Sequence, residues 1–254
     1  MCYYKHCQEG KEVKPTEHQE NEVSKMRVNI LDTETANFVN SPIPYDVGYQ
    51  IIDVDTKEIL VKRSFVVQEV FMDKDLMNSA YYAKKVPQYW EDLKAGRREM
   101  KRITTIKKIV AEDMKKFGVT MVGAYNMAFD KRATNNGIRY NTYSFYRWFF
   151  PYGTEFFDIW NMACSSFLRS KHFIKWALKN GFVSDAGNIK TSAEVAYKYI
   201  TKNVDFEESH TGLEDVEIET EIFFKVLRCK MKYDSTIIGA PWRIVQNARK
   251  EFGF

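Results

Sequence analysis

The stretch "ILDTETANF", residues 30–38, places two acidic residues, Asp32 and Glu34, at the end of an apolar run. Residues 27–34 read as a buried strand. Because side chains alternate along a strand, the two carboxylates share one face and lie about 7 Å apart. They repel each other unless a cation lies between them. The alternative, that both lie on the solvated edge of the strand, is favoured for an isolated D-x-E, so other acids in the chain decide between the two.

The rest of the chain alternates strand and helix patterns around this first strand. Apolar segments at 45–54 and 58–67 predict a hairpin joined by the turn "DTK". Further elements follow in the order helix 103–117 ending at Gly118, strand 119–125, helix capped by Asn126 and stopped by Gly137, strand within 154–160, and helical segments at 158–180, 191–202 and 212–231. This order predicts an α/β domain with a mixed central sheet of five strands flanked by helices.

The chain divides into a leader and one folded domain. Residues 1–25 are polar and charged without a sustained apolar period, which predicts a flexible leader before a domain at 26–254. Residues 71–100 are mixed and charged, with breakers at Pro87 and Gly96, and predict short helices in an insertion. The basic amphipathic segment at 240–252 is expected to dock back onto the domain.

Composition limits the compartment and the partners. The 254 residues are 44% apolar, which is enough for a substantial core. No apolar run is long enough for a membrane span, and the first residues do not read as a secretory signal, so a cytoplasmic protein with no membrane partner is predicted. The net charge of +4 permits a nucleic-acid partner without requiring one.

The cysteines indicate neither a disulfide framework nor a strong metal motif. Four cysteines are too few and too scattered for a framework in a chain of this size. The leader residues Cys2, His6, Cys7 and His18 suggest zinc, but their spacing matches no strong pattern. Chance is the preferred explanation of this grouping.

Further acids and a histidine occur where the predicted elements begin. Asp130 follows Asn126 by four residues on a helix that starts directly after the fourth strand, so its carboxylate is expected over the end of the sheet. Thr211 and Glu214 form a T-x-x-E capping box, which places His210 just before a helix and Asp215 in its first turn. The ordinary alternatives are that Asp130 is a surface acid, that His210 is a polar loop residue, and that Asp215 is an acid favoured by the helix dipole.

In their order and placement, "LDTET", "NMAFD" and "HTGLED" resemble the motifs of the DEDDh 3′→5′ exonucleases. That family has a ribonuclease H-like fold and includes the proofreading subunit of the bacterial replicative polymerase. The resemblance covers roughly residues 26–230. It implies catalytic and metal-binding roles for four acids and a catalytic role for one histidine: Asp32, Glu34, Asp130, Asp215 and His210. The sequence departs from the family at "DTETANF", where relatives commonly carry Thr-Gly.

The resemblance implies a phosphodiester hydrolase. Four carboxylates suit two Mg²⁺ or Mn²⁺ ions, which clamp the scissile phosphate, and His210 accepts the proton of the attacking water. The expected substrate is single-stranded or frayed DNA, released as nucleoside 5′-monophosphates. A polymerase or another replication or repair protein is a candidate partner. An exoribonuclease and a non-catalytic nucleic-acid-binding protein on the same fold are the alternatives.

Several residues outside the acid set are candidates for other roles. The expected contacts to nucleic acid are Thr33, Asn126, Tyr146 and Trp148. The last two belong to an aromatic segment at 139–157 that would stack on bases if exposed, although burial of all but one or two rings is favoured. Asp158 is expected to cap a helix after the last strand. The insertion at 71–100 is placed to cover or narrow the substrate path.

Overall fold

The computed structural model describes residues 26–254, and its centre is a mixed six-stranded sheet. The strands are β1 (Arg27–Ala36), β2 (Ile43–Asp53), β3 (Ile59–Val67), β4 (Glu99–Lys101), β5 (Met121–Ala124) and β6 (Glu155–Asp158). Their order across the sheet is β4-β3-β2-β1-β5-β6. The antiparallel ladder β1-β2-β3 continues in parallel into β4 on one side and into β5 and β6 on the other. The predicted α/β class and mixed sheet are therefore confirmed.

The sixth strand corrects the expected count of five. It is β4, a three-residue strand inside the segment predicted to be a helical insertion, and it pairs with the end of β3. A strand this short carries too few side chains to show an alternating pattern. The rest of the insertion is helical, as expected, with α1 (Gln68–Phe71), α2 (Lys74–Met77), a 3₁₀ turn at Ala83–Lys85 and α3 (Val86–Lys94).

The remaining helices cover the two faces of the sheet. They are α4 (Ile103–Phe117), α5 (Met127–Thr142), α6 (Ile159–Ser165), α7 (Lys171–Lys179), α8 (Ala193–Thr201), α9 (Gly212–Arg228) and α10 (Trp242–Glu251), with a 3₁₀ turn at Phe167–Arg169. As predicted, α4 ends at Gly118, whose φ of 66° lies in the left-handed region that glycine tolerates. In α10, Val245 and Ala248 are buried, so the basic C-terminal segment docks onto the domain.

The predicted start of α5 directly after Asn126 is confirmed, whereas its predicted end at Gly137 is wrong. Asn126 has a φ of 80°, and its side chain makes no capping hydrogen bond. Gly137 does not stop the helix, which continues to Thr142. Its role is packing, because a Cβ built at Gly137 would lie 3.0 Å from Cδ of Pro44 at the start of β2.

Two apolar clusters lie on opposite faces of the sheet, and side-chain alternation along β1 feeds both. Leu31 belongs to the cluster with α4 and α5, whereas Val28 and Ile30 belong to the cluster with α6 to α10. Asp32 and Glu34 continue the Val28–Ile30 side and therefore point toward α9. Within residues 26–254, no helix is long and apolar enough to cross a membrane. The leader at 1–25, including its cysteines, lies outside the described residues.

Candidate active site

The site lies where three parallel strands end. β1, β5 and β6 run in the same direction, so their carboxyl ends meet at one edge of the sheet, which is where open α/β sheets place their ligand sites. Asp32 and Glu34 lie near the end of β1, and Asp158 is the last residue of β6. The β1–β2 register shifts between Glu34 and Thr35. Such a bulge redirects the side chains beside it.

Thr33 fixes the position of Asp130. It points to the opposite face of β1 from Asp32, where the first turn of α5 begins. Its backbone N–H and its hydroxyl both donate to Asp130 Oδ1, at 3.1 and 2.8 Å, in a buried setting. Thr33 therefore aligns an acid, and its contact with nucleic acid stays a prediction. Asn126 donates its backbone N–H to Asp158 at 3.3 Å and lines a cavity of about 520 Å³.

A close backbone contact places α9 against the sheet. A Cβ built at Gly48 of β2 would lie 2.3 Å from the carbonyl carbon of Gly212, the first residue of α9. The Gly212 N–H donates to the carboxylate of Asp46 at 2.9 Å. The predicted capping box does not form, because the Thr211 hydroxyl binds the Glu214 side chain instead of a backbone N–H. Instead, Asp46 of β2 accepts the hydrogen bond from the first backbone N–H of α9.

Arg98 connects the insertion to this helix end. Its guanidinium contacts Asp46 at 3.1 Å, Asp92 at 3.0 Å and Glu214 at 2.7 Å, and its side chain is only 2% exposed. Tyr89 of α3 also donates to Asp46, at 2.6 Å. The network joins β2, the insertion and α9 around one buried cation. The insertion is thereby part of the frame that holds α9 in place.

This frame brings the acids of β1 and α9 together with the histidine before α9. Ligand atoms of Glu34, His210 and Asp215 all lie within 4.8 Å of one another. Asp130 approaches from α5, and its charge acts on Asp32. All five residues named from the sequence motifs thus lie at one edge of the sheet.

Glu219 is a further acid at the site that the sequence reasoning missed. It lies one turn after Asp215 on α9, is 3% exposed, and accepts a hydrogen bond from the backbone N–H of Tyr125. Its Oε2, like Oδ1 of Asp215, is buried and has no hydrogen-bond partner among the described residues. Its i, i+4 spacing from Asp215, on the buried side of the helix, is the sequence pattern that could have identified Glu219.

Burial and repulsion from neighbouring acids raise the pKa values of five acids at this edge, Asp32, Glu34, Asp130, Asp215 and Glu219. Burial is the main cause for Glu34, whose pKa rises to about 9, and for Asp215 and Asp130, whose pKa values rise to about 8 and about 7. The pKa values of Asp32 and Glu219 are also raised well above the usual range. Among residues 26–254, none of the five forms an ion pair with a lysine or arginine. Within the described residues, no cation of the protein compensates this concentration of acids.

His210 is held by the insertion. Its ring stacks on Tyr82, with centroids 4.2 Å apart and planes 12° from parallel. Its Nδ1 lies 3.7 Å from a carboxylate oxygen of Glu208, and its φ of 51° is left-handed. Burial lowers the pKa of His210, which favours the neutral imidazole. The insertion thus borders the site, and its covering or narrowing of the substrate path stays a prediction.

Asp158 has the predicted capping role. It accepts from the backbone N–H of Asn161 at 3.2 Å, in the first turn of α6. The same oxygen, Oδ1, also accepts from Asn126, whereas Oδ2 has no partner. Burial raises the pKa of Asp158 to about 6. This acid ties the ends of β5 and β6 together beside the cluster.

The expectation of a mostly buried aromatic segment is wrong. Six rings between 139 and 157 are exposed, namely those of Tyr140, Tyr143, Phe145, Tyr146, Trp148 and Tyr152. Phe149, Phe150 and Phe157 are buried. The rings that enter the core anchor the segment, and those between α5 and Phe149 lie on a loop that no element of residues 26–254 covers.

No family model and no curated protein match the chain. Solved structures do resemble it. A full-length 3′-exonuclease aligns over 86% of this chain and 89% of its own, with 14% identity and a TM-score of 0.50. A 3′-exonuclease solved in "3'-end specific recognition of histone mRNA stem-loop" aligns over 86% and 69%, with 13% identity and a TM-score of 0.51.

Exonuclease I is also similar in structure, over 81% of this chain and 43% of that one, with 13% identity and a TM-score of 0.50. At these identities the likeness establishes the fold. The chain has the α/β fold of these 3′-exonuclease structures, in keeping with the fold that the sequence resemblance implied.

Proposed function

We propose that the protein is a metal-dependent 3′→5′ exonuclease that hydrolyses single-stranded or frayed DNA to nucleoside 5′-monophosphates. The observation that carries the proposal is the cluster of buried, uncompensated acids beside His210, at the edge of a sheet whose fold is that of 3′-exonucleases. A purely structural role does not account for such a cluster, because each added buried carboxylate raises the free energy of the folded protein.

The donor set fits divalent cations. Carboxylate oxygens are hard ligands suited to Mg²⁺ or Mn²⁺, and the partnerless buried oxygens of Asp215 and Glu219 are free to coordinate. Asp32, Glu34, Asp130 and Asp215 are the proposed ligands of two such ions. Bound there, the ions supply Lewis acidity at the scissile phosphate and stabilise the charge of the leaving oxygen.

The protein groups supply a base and its orientation. His210, neutral because burial lowers its pKa, accepts the proton of the attacking water. Tyr82 holds the imidazole plane by stacking, and Glu208 lies beside Nδ1. Thr33 keeps Asp130 aligned through two hydrogen bonds to the same oxygen, Oδ1. The acids thus need no large rearrangement before the reaction.

A 3′→5′ exoribonuclease is the second candidate. One similar structure is of an exonuclease that recognises a histone mRNA stem-loop, so the fold also occurs on RNA substrates. The two candidates share the acids and the histidine and differ in how the 2′-OH is treated.

The test is digestion of matched 5′-labelled DNA and RNA single strands with Mg²⁺ or Mn²⁺. We expect a ladder that shortens from the 3′ end, is abolished by chelator, and is absent in Asp215→Asn and His210→Ala. Glu221→Gln is the matched control, since Glu221 is an exposed acid on the same helix. If neither strand is cleaved, or if Asp215→Asn cleaves like the unmodified protein, the proposal is wrong.

A further inference from the structure

The aromatic loop, defined as residues 143–152, is the largest unexplained surface feature outside the acid cluster. Its exposed rings are those of Tyr143, Phe145, Tyr146, Trp148 and Tyr152, each more than half exposed. None of the five stacks on another aromatic ring of the described residues. Exposed apolar groups in such a concentration mark an interaction surface.

The charge around the aromatic loop is positive and unpaired. Residues 131–154 contain no aspartate or glutamate and four basic residues, Lys131, Arg132, Arg139 and Arg147. None of these four forms an ion pair in the described part of the chain. A surface that pairs bare aromatic rings with unpaired cations is complementary to bases and phosphates together.

Trp148 lies between two concave surfaces. On one side it lines a cavity of about 570 Å³ with Arg139 and Arg147. On the other side it lines a cavity of about 360 Å³ with Lys131 and Tyr152. Each cavity therefore combines aromatic rings with at least one basic residue. The base of the loop is fixed, because the Phe149 N–H donates to the Asn135 side chain at 2.9 Å.

Only the end of the loop at Tyr143 and Phe145 lies away from the acid cluster along α5, because Trp148 folds back to line a cavity with Lys131, the residue after Asp130. Asp130 is in the first turn of α5 and Thr142 is its last residue. The intervening helix is about 18 Å long at 1.5 Å per residue. That length corresponds to about five stacked nucleotides at 3.4 Å per phosphate. A strand whose 3′ end reaches the acids is thus long enough to touch Tyr143 and Phe145 only when it has several nucleotides.

We propose that the far end of the aromatic loop, at Tyr143 and Phe145 with Arg139 and Arg147, binds the 5′ portion of a single-stranded substrate while its 3′ end occupies the acid cluster. This site rests on the proposed exonuclease function and gives it a length preference. Stacking on the rings is tolerant of base identity, so the loop discriminates strand length and single-strandedness instead of sequence.

The test measures binding without cleavage. In chelator, the affinity for a fluorescent oligo-dT of about 20 nucleotides is compared among the unmodified protein, Tyr143→Ala/Phe145→Ala and Tyr233→Ala. Each stacking ring removed should lower the affinity by about tenfold. Tyr233 is the matched control because it is exposed and lies outside the loop. We expect a loss of tenfold or more in the double variant, no loss in the control, and no difference between proteins for a trinucleotide.

Unchanged affinity of the double variant would overturn the proposal and leave the loop to a protein partner. An equal loss for the trinucleotide would also overturn it. Binding is measured in chelator and therefore does not depend on cleavage. If the unmodified protein cleaves no strand but the double variant still loses affinity, the exonuclease proposal fails and the binding role of the loop is supported. With Mg²⁺, the double variant should cleave the long strand with a KM about tenfold above that of the unmodified protein and with a kcat changed by less than about twofold.

Discussion

Gly48→Ala should displace the helix that carries Asp215 and Glu219. The added Cβ would lie 2.3 Å from the Gly212 carbonyl carbon and 2.5 Å from the Leu213 nitrogen, whereas ordinary contact begins at 3.4 Å. The start of α9 must therefore move by about 1 Å, a misplacement that costs about 100-fold in rate when it reaches catalytic groups. Overpacking of this kind costs about 1–3 kcal/mol in the free energy of unfolding.

The assay combines urea unfolding with the rate of 3′ shortening of a labelled strand. Gly239→Ala is the control, because a Cβ there meets nothing within 4 Å. We expect a lower unfolding midpoint and about a 100-fold lower rate in the folded fraction of Gly48→Ala, and neither change in the control. A Gly48→Ala protein with unaltered stability and rate would refute the close contact as the element that positions α9.

Three further perturbations follow from the site. Arg98→Met leaves Asp46 buried without its cation and should lower the free energy of unfolding by about 3–5 kcal/mol, measured in urea; a loss below about 1 kcal/mol would contradict the network. Glu219→Gln removes one repelling acid, so it should raise the melting temperature in chelator. The further increase in melting temperature on adding Mg²⁺ should be smaller than in the unmodified protein. An equal increase in both proteins would exclude Glu219 from the metal site. The metal-free protein should lose stability as pH rises from about 5 to about 8, because the raised pKa values of Glu34, Asp130 and Asp215 mean that the folded state binds more protons than the unfolded one; urea unfolding in chelator that is flat or rising over this range would contradict the acid cluster.

The fold was predictable where side-chain periodicity is strong. The alternation of β1 placed Asp32 and Glu34 on one face, and the stripe of α4 with Gly118 behind it gave that helix its limits. β4 was missed because three residues carry no period. Gly137 was misread as a helix stop because its packing against Pro44 depends on a distant segment.

Five residues of the candidate site were predicted from the sequence, whereas Glu219 and the supporting contacts were not. Motif order pointed to the four acids and His210, but the partners that hold them come from remote segments. Arg98 and Tyr82 act from the insertion, and Asp46 caps α9 in place of the local Thr211. The exposed aromatic rings were misjudged because the general tendency of aromatics toward burial outweighed the absence of acids from 131 to 154.

The acid cluster is proposed to be a divalent-cation centre. The most direct measurement is a Mn²⁺ titration followed by electron paramagnetic resonance, in which bound Mn²⁺ loses the signal of the free ion, for the unmodified protein, Asp215→Asn and Glu221→Gln. We expect the unmodified protein and Glu221→Gln to bind Mn²⁺, and we expect Asp215→Asn to lose most of this binding. Equal binding in all three proteins, or none in the unmodified protein, would contradict it.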